Sequence, residues 1–381
     1  MKRYILRKEG DDGKFYKFDR DTGRAEFLIY PDLTTMEQDS DFHIPQLFPK
    51  RARAAPFCAW FKLTDKCNLQ CPYCSVPASD LTMPTMKQIN QILDNLVASG
   101  VFEVRFTGGE PAMHPKFCDA VKSALDKGLY VSINSNGLFS EQQLEKLSTL
   151  TVGMYIISLD GTKEVNDQMR PQNSYDKIIK TIYYLTNRAK PVRVNATMCK
   201  INQACLSEFV PILQGMNVAG LTLVPLRPAG PAKKNFETIA LSRKEYGALI
   251  KEVTRLEALH RFPIGRSYDT MTDSSQIFNT PSHFTRRCVA GTEAICIKPN
   301  GDVHACILLG EQEYIVGNLF EEQLSRIWAN DEKWGRFRDE NCYSARCNQC
   351  THFSKSCAGM CYVMAIHHDS PERDPYCQLQ K

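Results

Sequence analysis

The sequence predicts an α/β protein in which helices cover a parallel sheet. Six short runs of apolar, β-branched or aromatic residues recur along the middle of the chain, and amphipathic segments separate them. Such alternation is typical of a parallel sheet, which can form an open doubly wound sheet or an incomplete barrel. Periodicity alone does not choose between these two. The predicted strands are residues 58–63, 104–106, 131–134, 154–159, 192–197 and 221–224.

Capping patterns mark the starts of several helices between these strands. Residues 86–97 form the first predicted helix, because their apolar residues recur at helical spacing. Thr85 and Gln88 have the spacing of a capping box at its start. The same signal precedes two later helices, at Ser140 with Gln143 and at Ser242 with Glu245.

Composition indicates a large protein without a nucleic-acid or membrane signature. The chain has 381 residues, enough for two domains or a barrel with an appendage. Its net charge is +4, with 47 basic and 43 acidic residues nearly balanced. No window reaches the ~18 apolar residues of a membrane span, and the charged N-terminus lacks the apolar core of a signal peptide. We therefore expect a cytoplasmic protein with no nucleic-acid or membrane partner.

Cysteine use indicates metal binding rather than disulfides. The chain contains 16 cysteines, and a disulfide framework is typical of small secreted domains instead. Cys67, Cys71 and Cys74 form a CxxxCxxC triplet, which offers an iron–sulfur cluster three thiolates where a closed site takes four. A [4Fe–4S] cluster held this way keeps one iron free to bind a small molecule and pass it an electron. A structural zinc knuckle is the alternative, although zinc favours four ligands at paired spacing.

Three sequence blocks together resemble the radical S-adenosylmethionine (radical SAM) superfamily. They are the cysteine triplet with Tyr73 before its last cysteine, residues 107–111 (TGGEP) and residues 157–161 (ISLDG). The resemblance runs from about Phe57 to the C-terminus. It implies a partial (β/α)6 barrel with the cluster loop after the first strand. It also implies that the reduced cluster cleaves S-adenosylmethionine to methionine and a 5′-deoxyadenosyl radical.

The same resemblance implies a set of cofactor-binding residues at the strand ends. A carboxylate at Glu110 would face the methionine ammonium, and a guanidinium at Arg170 would face the methionine carboxylate. Glycines 108 and 109 would let the backbone approach the ligand closely. A tight turn and a surface arginine remain the alternatives for these two segments. The candidate residues are Tyr73, Gly108, Gly109, Glu110, Asn136, Ser158, Asp160 and Arg170.

The C-terminal cysteines resemble a SPASM domain, an appendage with two auxiliary [4Fe–4S] clusters. The resemblance implies one site held by Cys347, Cys350, Cys357 and Cys377, and a second held by Cys288, Cys306 and Cys361. The second site is one ligand short, so its fourth position is open to substrate or is filled by Cys342 or Cys296. Zinc at the paired cysteines is the alternative. The expected domains are residues 1–55, 56–265 and 266–381.

Several residues fall outside these motifs. Cysteines in apolar contexts are predicted to be core thiols: Cys58, Cys118, Cys199 and Cys205. His367 and His368 are interpreted as a surface pair. Aromatic residues 15–18, a polar turn and residues 25–29 predict a β-hairpin that caps the barrel, with docking of a peptide strand as the alternative. Residues 45–56 are predicted to be a linker.

The parts together favour an enzyme that modifies a ribosomally made peptide, forming a thioether or carbon–carbon crosslink. We expect three [4Fe–4S] clusters, S-adenosylmethionine, a precursor peptide and an electron donor such as flavodoxin or ferredoxin. An anaerobic sulfatase-maturating enzyme is the first alternative, although that family places an Asp after the cysteine matching Cys306, where this chain has Ile307. A cofactor- or haem-pathway enzyme is the second. An electron carrier or zinc scaffold is the third, but it leaves the Glu110 and Ser158 blocks unexplained.

Overall fold

The N-terminal residues form a small four-stranded sheet. A computed structural model of the chain describes residues 1–9, 13–29, 31, 33–36, 39–45, 49, 52–76, 82–171, 173–266, 288–339, 347, 349–353, 359, 361–367 and 374–378. The sheet contains β1 (Tyr4–Lys8), β2 (Lys14–Asp19), β3 (Arg24–Ile29) and β4 (Ser40–His43), with helix α1 (Leu33–Met36) before β4. Its order is β3-β2-β1-β4. The predicted hairpin is confirmed as β2 and β3, and β1 and β4 extend it beyond the prediction.

Six parallel strands form the centre of a second, ten-stranded sheet. They are β5 (Cys58–Lys62), β6 (Glu103–Thr107), β7 (Tyr130–Ser135), β8 (Met154–Ser158), β9 (Val192–Met198) and β10 (Gly220–Pro225). All six predicted strands are confirmed. Neighbours in this part of the sheet follow chain order, with no reversal of the kind that defines a doubly wound sheet. The strand order therefore selects the incomplete barrel.

Helices fill the connections between the barrel strands. They are α2 (Met86–Ala98), α3 (Phe117–Asp126), α4 (Glu141–Ser148), α5 (Lys163–Met169), α6 (Tyr175–Thr186), α7 (Leu206–Gly215), α8 (Ala232–Ile239) and α9 (Arg243–His260). All three predicted capping boxes form, at the starts of α2, α4 and α9. Each cap supplies hydrogen-bond partners to backbone groups that the first turn leaves unsatisfied.

The two faces of the barrel strands differ in chemistry. On β6, Val104 and Phe106 are fully buried and belong to the main core with residues of α2 and α3. The alternate residues, Glu103 and Arg105, keep partial exposure, and β9 alternates in the same way. Side chains alternate along a strand, so the apolar face packs against helices and the polar face lines the inside of the barrel.

The C-terminal part continues the same sheet on both sides. Strand β11 (Ile264–Arg266) pairs with β10, and β12 (Ala294–Ile297) runs parallel to β5. Strands β13 (Asp302–His304) and β14 (Ile315–Asn318) follow with antiparallel pairing. The remaining described helices are α10 (Leu324–Ala329), α11 (Asp331–Arg338) and α12 (Tyr362–His367). No helix in the described ranges is long and apolar enough to cross a membrane.

The N-terminal sheet packs against the N-terminal ends of the barrel strands. Phe18 stacks on Phe102 with ring centroids 4.7 Å apart, and the buried Arg7 donates to the carbonyl of Gly100 at 2.9 Å. Arg20 donates to the carbonyl of Gly128 at 3.1 Å. These partners precede β6 and β7. The sheet therefore lies at the opposite end of the barrel from the sequence motifs.

Candidate functional site

The cysteine triplet lies on the loop after β5, at the C-terminal ends of the strands. Backbone hydrogen bonds hold this loop against the segment after β6. The amide of Gly109 donates to Thr64 and the amide of Glu110 donates to Lys66, both at 2.8 Å. A Cβ atom on Gly108 or Gly109 would collide with backbone oxygen atoms of the loop. The two glycines are thus required where these two chain segments meet, and their approach to a ligand stays a prediction.

The three thiols of this loop fit an iron–sulfur cluster by donor type. Cys67 is exposed, whereas Cys71 and Cys74 are half-buried. Burial raises the pKa of Cys67, and it raises the pKa of Cys71 to about 11. The amide of Leu69 donates to the Cys67 sulfur at 3.4 Å, a contact that favours the thiolate. Among the described residues no three His, Cys, Asp or Glu side chains form a preorganised metal site. Three soft donors on one loop nevertheless suit iron–sulfur ligation.

Glu110 is a buried carboxylate at the end of the neighbouring strand. Its oxygens accept hydrogen bonds from the Ser135 hydroxyl at 2.8 Å, the Asn136 amide at 2.7 Å and the Ala112 amide at 3.1 Å. Burial raises the pKa of Glu110 to about 7, against the opposing effect of these hydrogen bonds. A cation placed beside this carboxylate would stabilise its charged form. The site therefore suits a ligand ammonium group.

Asp160, which follows β8, and Arg170, at the end of α5, form a buried ion pair at the same edge. The Nε atom of Arg170 donates to Asp160 at 2.6 Å, and the Tyr73 hydroxyl donates to the same carboxylate oxygen. The other Asp160 oxygen accepts from the amide of Thr197 at 2.7 Å. Burial opposes the charge on Arg170, but the charge of Asp160 raises the pKa of Arg170 above its ordinary value. Arg170 is therefore a buried, charged side chain that Asp160 holds in place, and not a surface arginine.

Asn136 joins the cysteine loop to these groups. Its side-chain amide donates to Asn68 at 2.7 Å and lies 4.0 Å from the Cys67 sulfur. Ser158 ends β8 and is half-buried at the same edge. The predicted cofactor-binding residues thus come from the end of β8 and from the segments that follow β5 to β8. Together with the cysteine loop, these residues place thiols, an anion and a cation at one edge of the barrel. Such a combination can hold a metal cluster beside a zwitterionic ligand.

The C-terminal cysteines are partly described. Cys306 is buried, and Cys288 and Cys361 are half-buried. Burial raises the pKa of Cys306, and its electrostatic neighbours include Cys288, Cys361 and Cys296. These four thiols therefore lie in one region. Cys296 is itself buried on β12, and its role as ligand or core thiol stays a prediction.

The other predicted auxiliary ligands have less structural context. The amide of Cys350 donates to the carbonyl of Cys347 at 2.9 Å, and the amide of Cys377 donates to the carbonyl of Asp374 at the same distance. These turns fit a ligand loop. Cys342 and Cys357 lie outside the described residues.

The residues left outside the motifs take ordinary positions. Cys58, Cys199 and Cys205 are buried, which confirms them as core thiols, and Cys118 is half-buried against the core. His367 contacts the Glu237 carboxylate at 3.2 Å, and His368 lies outside the described residues. The end of the predicted linker is buried, at residues 53–56, and Arg53 forms a 2.6 Å ion pair with Glu293 there.

Sequence reasoning missed polar groups that surround the site. Lys62 and Asp65 form a buried ion pair directly before the cysteine loop. Arg227 follows β10, is almost fully buried, and lies 5.3 Å from the ring of Tyr376. A lysine inside an otherwise apolar strand was the available signal for Lys62, whereas Arg227 has no local signal.

Comparisons with known proteins agree with this geometry. The family model described as the radical SAM superfamily matches residues 61–210, and the model of the SPASM iron–sulfur cluster-binding domain matches residues 288–351. The chain is 27% identical over 354 residues to the mycofactocin maturase of Mycobacterium tuberculosis, covering 88% of this chain and 86% of that protein. It is 26% identical over 342 residues to an AdoMet-dependent heme synthase of Methanosarcina barkeri, covering 84% and 95%.

A solved structure shares the fold. Streptococcus suis SuiB, crystallised with its precursor peptide SuiA, superposes with a TM-score of 0.72 at 21% identity, covering 86% of this chain and 77% of that one. Both family models match in the expected order, and the parts of the chain they match contain the cysteine loop and Cys306. Those domains imply iron–sulfur clusters and S-adenosylmethionine as cofactors. The chain belongs to the radical SAM superfamily and is a radical SAM enzyme with a C-terminal SPASM domain.

Proposed function

We propose that this enzyme modifies a ribosomally made precursor peptide, forming a thioether or carbon–carbon crosslink. The observation that carries the proposal is the pairing of an S-adenosylmethionine-type site at the barrel edge with a SPASM domain. Similarity to a mycofactocin maturase along most of both chains supports it. Binding of a precursor peptide is an observation made on SuiB. This chain shares the fold of SuiB.

The chain's own residues would position the cofactors. Cys67, Cys71 and Cys74 would hold the cluster, which with S-adenosylmethionine supplies the one-electron chemistry that abstracts hydrogen from a C–H bond. Glu110 would accept the methionine ammonium. Asp160 fixes the Arg170 guanidinium through its Nε atom, so another edge of the fork would bind the methionine carboxylate. Binding both ends of the amino acid would orient the reacting end toward the substrate.

The C-terminal domain would hold two auxiliary clusters, for three [4Fe–4S] clusters in all. Cys288, Cys306 and Cys361 would hold the one nearer the barrel, with Cys347, Cys350, Cys357 and Cys377 at the other. In this arrangement residues 1–55 are an N-terminal extension, residues 56–265 the barrel and residues 266–381 the SPASM domain. A small electron carrier such as flavodoxin or ferredoxin would supply electrons.

A direct test uses short peptides encoded beside the gene. Each is incubated anaerobically with reconstituted enzyme, S-adenosylmethionine and a strong reductant. We expect a loss of two hydrogens per crosslink, a mass change of about −2 Da, with deoxyadenosine formed in proportion. The triple Cys67, Cys71 and Cys74 to Ala variant is the control. Formation of deoxyadenosine while every peptide encoded beside the gene stays unchanged would contradict the proposal.

A haem-pathway reaction is the second candidate, because the chain covers 95% of a heme synthase at 26% identity. Conversion of a porphyrin substrate, with no peptide modified, would favour it. A sulfatase-maturating activity is weaker, because Ile307 stands where that family has an Asp. Oxidation of a Cys-type sulfatase peptide to its aldehyde would reverse this order.

A further inference from the structure

The inside of the barrel contains two arginine side chains with different partners. On β6, Arg105 donates to the Glu103 carboxylate, at 2.8 Å from Nη2 and 3.1 Å from Nε. On β9, Arg193 donates from Nη1 to the hydroxyl of Thr222 on β10 at 3.3 Å. Within the described part of the chain, Arg193 forms no ion pair with a carboxylate. One of the two guanidinium charges is therefore balanced and the other is held by a neutral hydroxyl.

This arrangement is electrostatically unfavourable in the free protein. Burial lowers the pKa of Arg193, and the positive charge of Arg105 lowers it further. A guanidinium does not lose its proton under ordinary conditions, so the charge remains. A partly buried charge without a counter-ion destabilises the folded state. An anion that enters the barrel would relieve both the burial and the repulsion.

Strand register places Arg193 just below the candidate site. Ser158, at the end of β8, pairs with Asn195 on β9. Arg193 lies two residues before Asn195 and pairs with Ile156, so its Cα lies about 7 Å farther into the barrel. Side chains two residues apart share one face of a strand. A molecule reacting at the strand ends could therefore extend one layer deeper and meet the guanidinium.

We propose that Arg193 binds a carboxylate of the substrate inside the barrel while the carbon to be modified stays at the strand ends. The proposal rests on the proposed function for the place of reaction, and it adds a chemical requirement on the substrate. The Thr222 hydroxyl fixes one Nη atom, which leaves the planar fork oriented for a bidentate contact. The carboxylate can belong to an acidic side chain or C-terminus of a peptide, or to a small-molecule substrate.

The first experiment needs no knowledge of the substrate. Reconstituted full-length enzyme is melted in about 100 mM acetate and in chloride at equal ionic strength, with acetamide as the uncharged probe. Acetate should raise the melting temperature of the wild type and leave that of Arg193→Gln unchanged. Without acetate, Arg193→Gln should melt at or above the wild-type temperature, because repulsion from Arg105 is removed. The exposed Arg255→Gln is the matched charge-loss control and should keep the acetate response.

Two results of this experiment would overturn the proposal. A lower melting temperature for Arg193→Gln without acetate would contradict the premise that the Arg193 charge destabilises the free protein. Equal acetate responses in Arg193→Gln and wild type would place the acetate elsewhere. Arg193→Lys keeps the charge but loses the fork, so it should retain only part of the response.

The second experiment distinguishes this inference from the proposed function. For a peptide that the enzyme modifies, Arg193→Gln should raise the dissociation constant about tenfold. Replacing the recognised carboxylate of the peptide by an amide, at the C-terminus or at an acidic side chain, should raise the dissociation constant of the wild type by the same factor. The same replacement should not change the dissociation constant of Arg193→Gln further. Peptide modification with an unchanged dissociation constant would overturn the inference and leave the function standing. If no peptide is modified, the proposed function fails and the acetate experiment still decides the inference.

Discussion

The two cysteine-rich regions differ in what surrounds their thiols. In the loop after β5, Cys67 is exposed and lies at an edge that also contains Glu110 and Arg170. In the C-terminal part, Cys306 is buried and its electrostatic neighbours are other thiols. Charged groups beside an exposed thiol suit a ligand that enters and leaves. Thiols that face one another in a buried region suit a cofactor that stays.

The largest expected effect is the loss of activity when the cysteine loop after β5 is altered and the C-terminal cysteines are left intact. Replacing Cys67, Cys71 and Cys74 together by Ala should abolish reductive cleavage of S-adenosylmethionine, because the catalytic cluster would lose the three thiolates proposed to hold it. Absorbance from the C-terminal clusters should remain. The matched control is Cys118→Ala, which removes a half-buried thiol outside both regions. Deoxyadenosine formation by the triple variant would show that catalysis uses another cluster.

The variant Cys306→Ala should lose iron from the C-terminal region and keep the catalytic cluster. Wild-type enzyme reconstituted anaerobically should hold about twelve iron atoms per chain, and Cys306→Ala should hold about eight if one [4Fe–4S] cluster is lost. Iron and zinc analysis measures both. Near four iron atoms in the wild type, with zinc making up the rest, would contradict the two-auxiliary-cluster proposal.

Glu110 tests the ligand-binding character of the first region. Glu110→Gln should weaken S-adenosylmethionine binding by about 1.5–3 kcal/mol, the range for hydrogen bonds to charged groups. Calorimetric titration measures the change, and the exposed Glu141→Gln on α4 is the control. An equal dissociation constant in Glu110→Gln and wild type would leave residues 108–110 as a structural turn.

The smallest expected effect is a pH dependence from the same carboxyl. Because burial raises the pKa of Glu110 to about 7, the free enzyme takes up a proton there as the pH falls through that value. An ammonium binds the ionised form, so affinity should decrease below about pH 7 and binding should release protons near that pH. Glu110→Gln should remove this dependence. A dependence that persists in the variant would assign it to another group.

Much of the barrel could be predicted because its signals are local. The six strands and three capping boxes depend on side-chain alternation and on hydrogen bonds within one turn. Cys67, Cys71 and Cys74 share one short loop, so spacing alone predicted that they act together. The hairpin of β2 and β3 was also predicted, whereas the addition of β1 beside β2 and of β4 beside β1 was not, because β4 joins β1 from a distant part of the chain.

By itself the sequence determined which segments are strands, where helices begin, and which thiols share a loop. Strand periodicity did not choose between a barrel and a doubly wound sheet; the family resemblance favoured the barrel, and the strand order in the tertiary structure confirmed it. Only the tertiary structure set Asp160 beside Arg170 and Tyr73, and it brought Arg193 within electrostatic range of Arg105. These groups lie on different strands or loops, and register and burial bring them together. No local pattern encodes the charge of a neighbour that is distant in the chain.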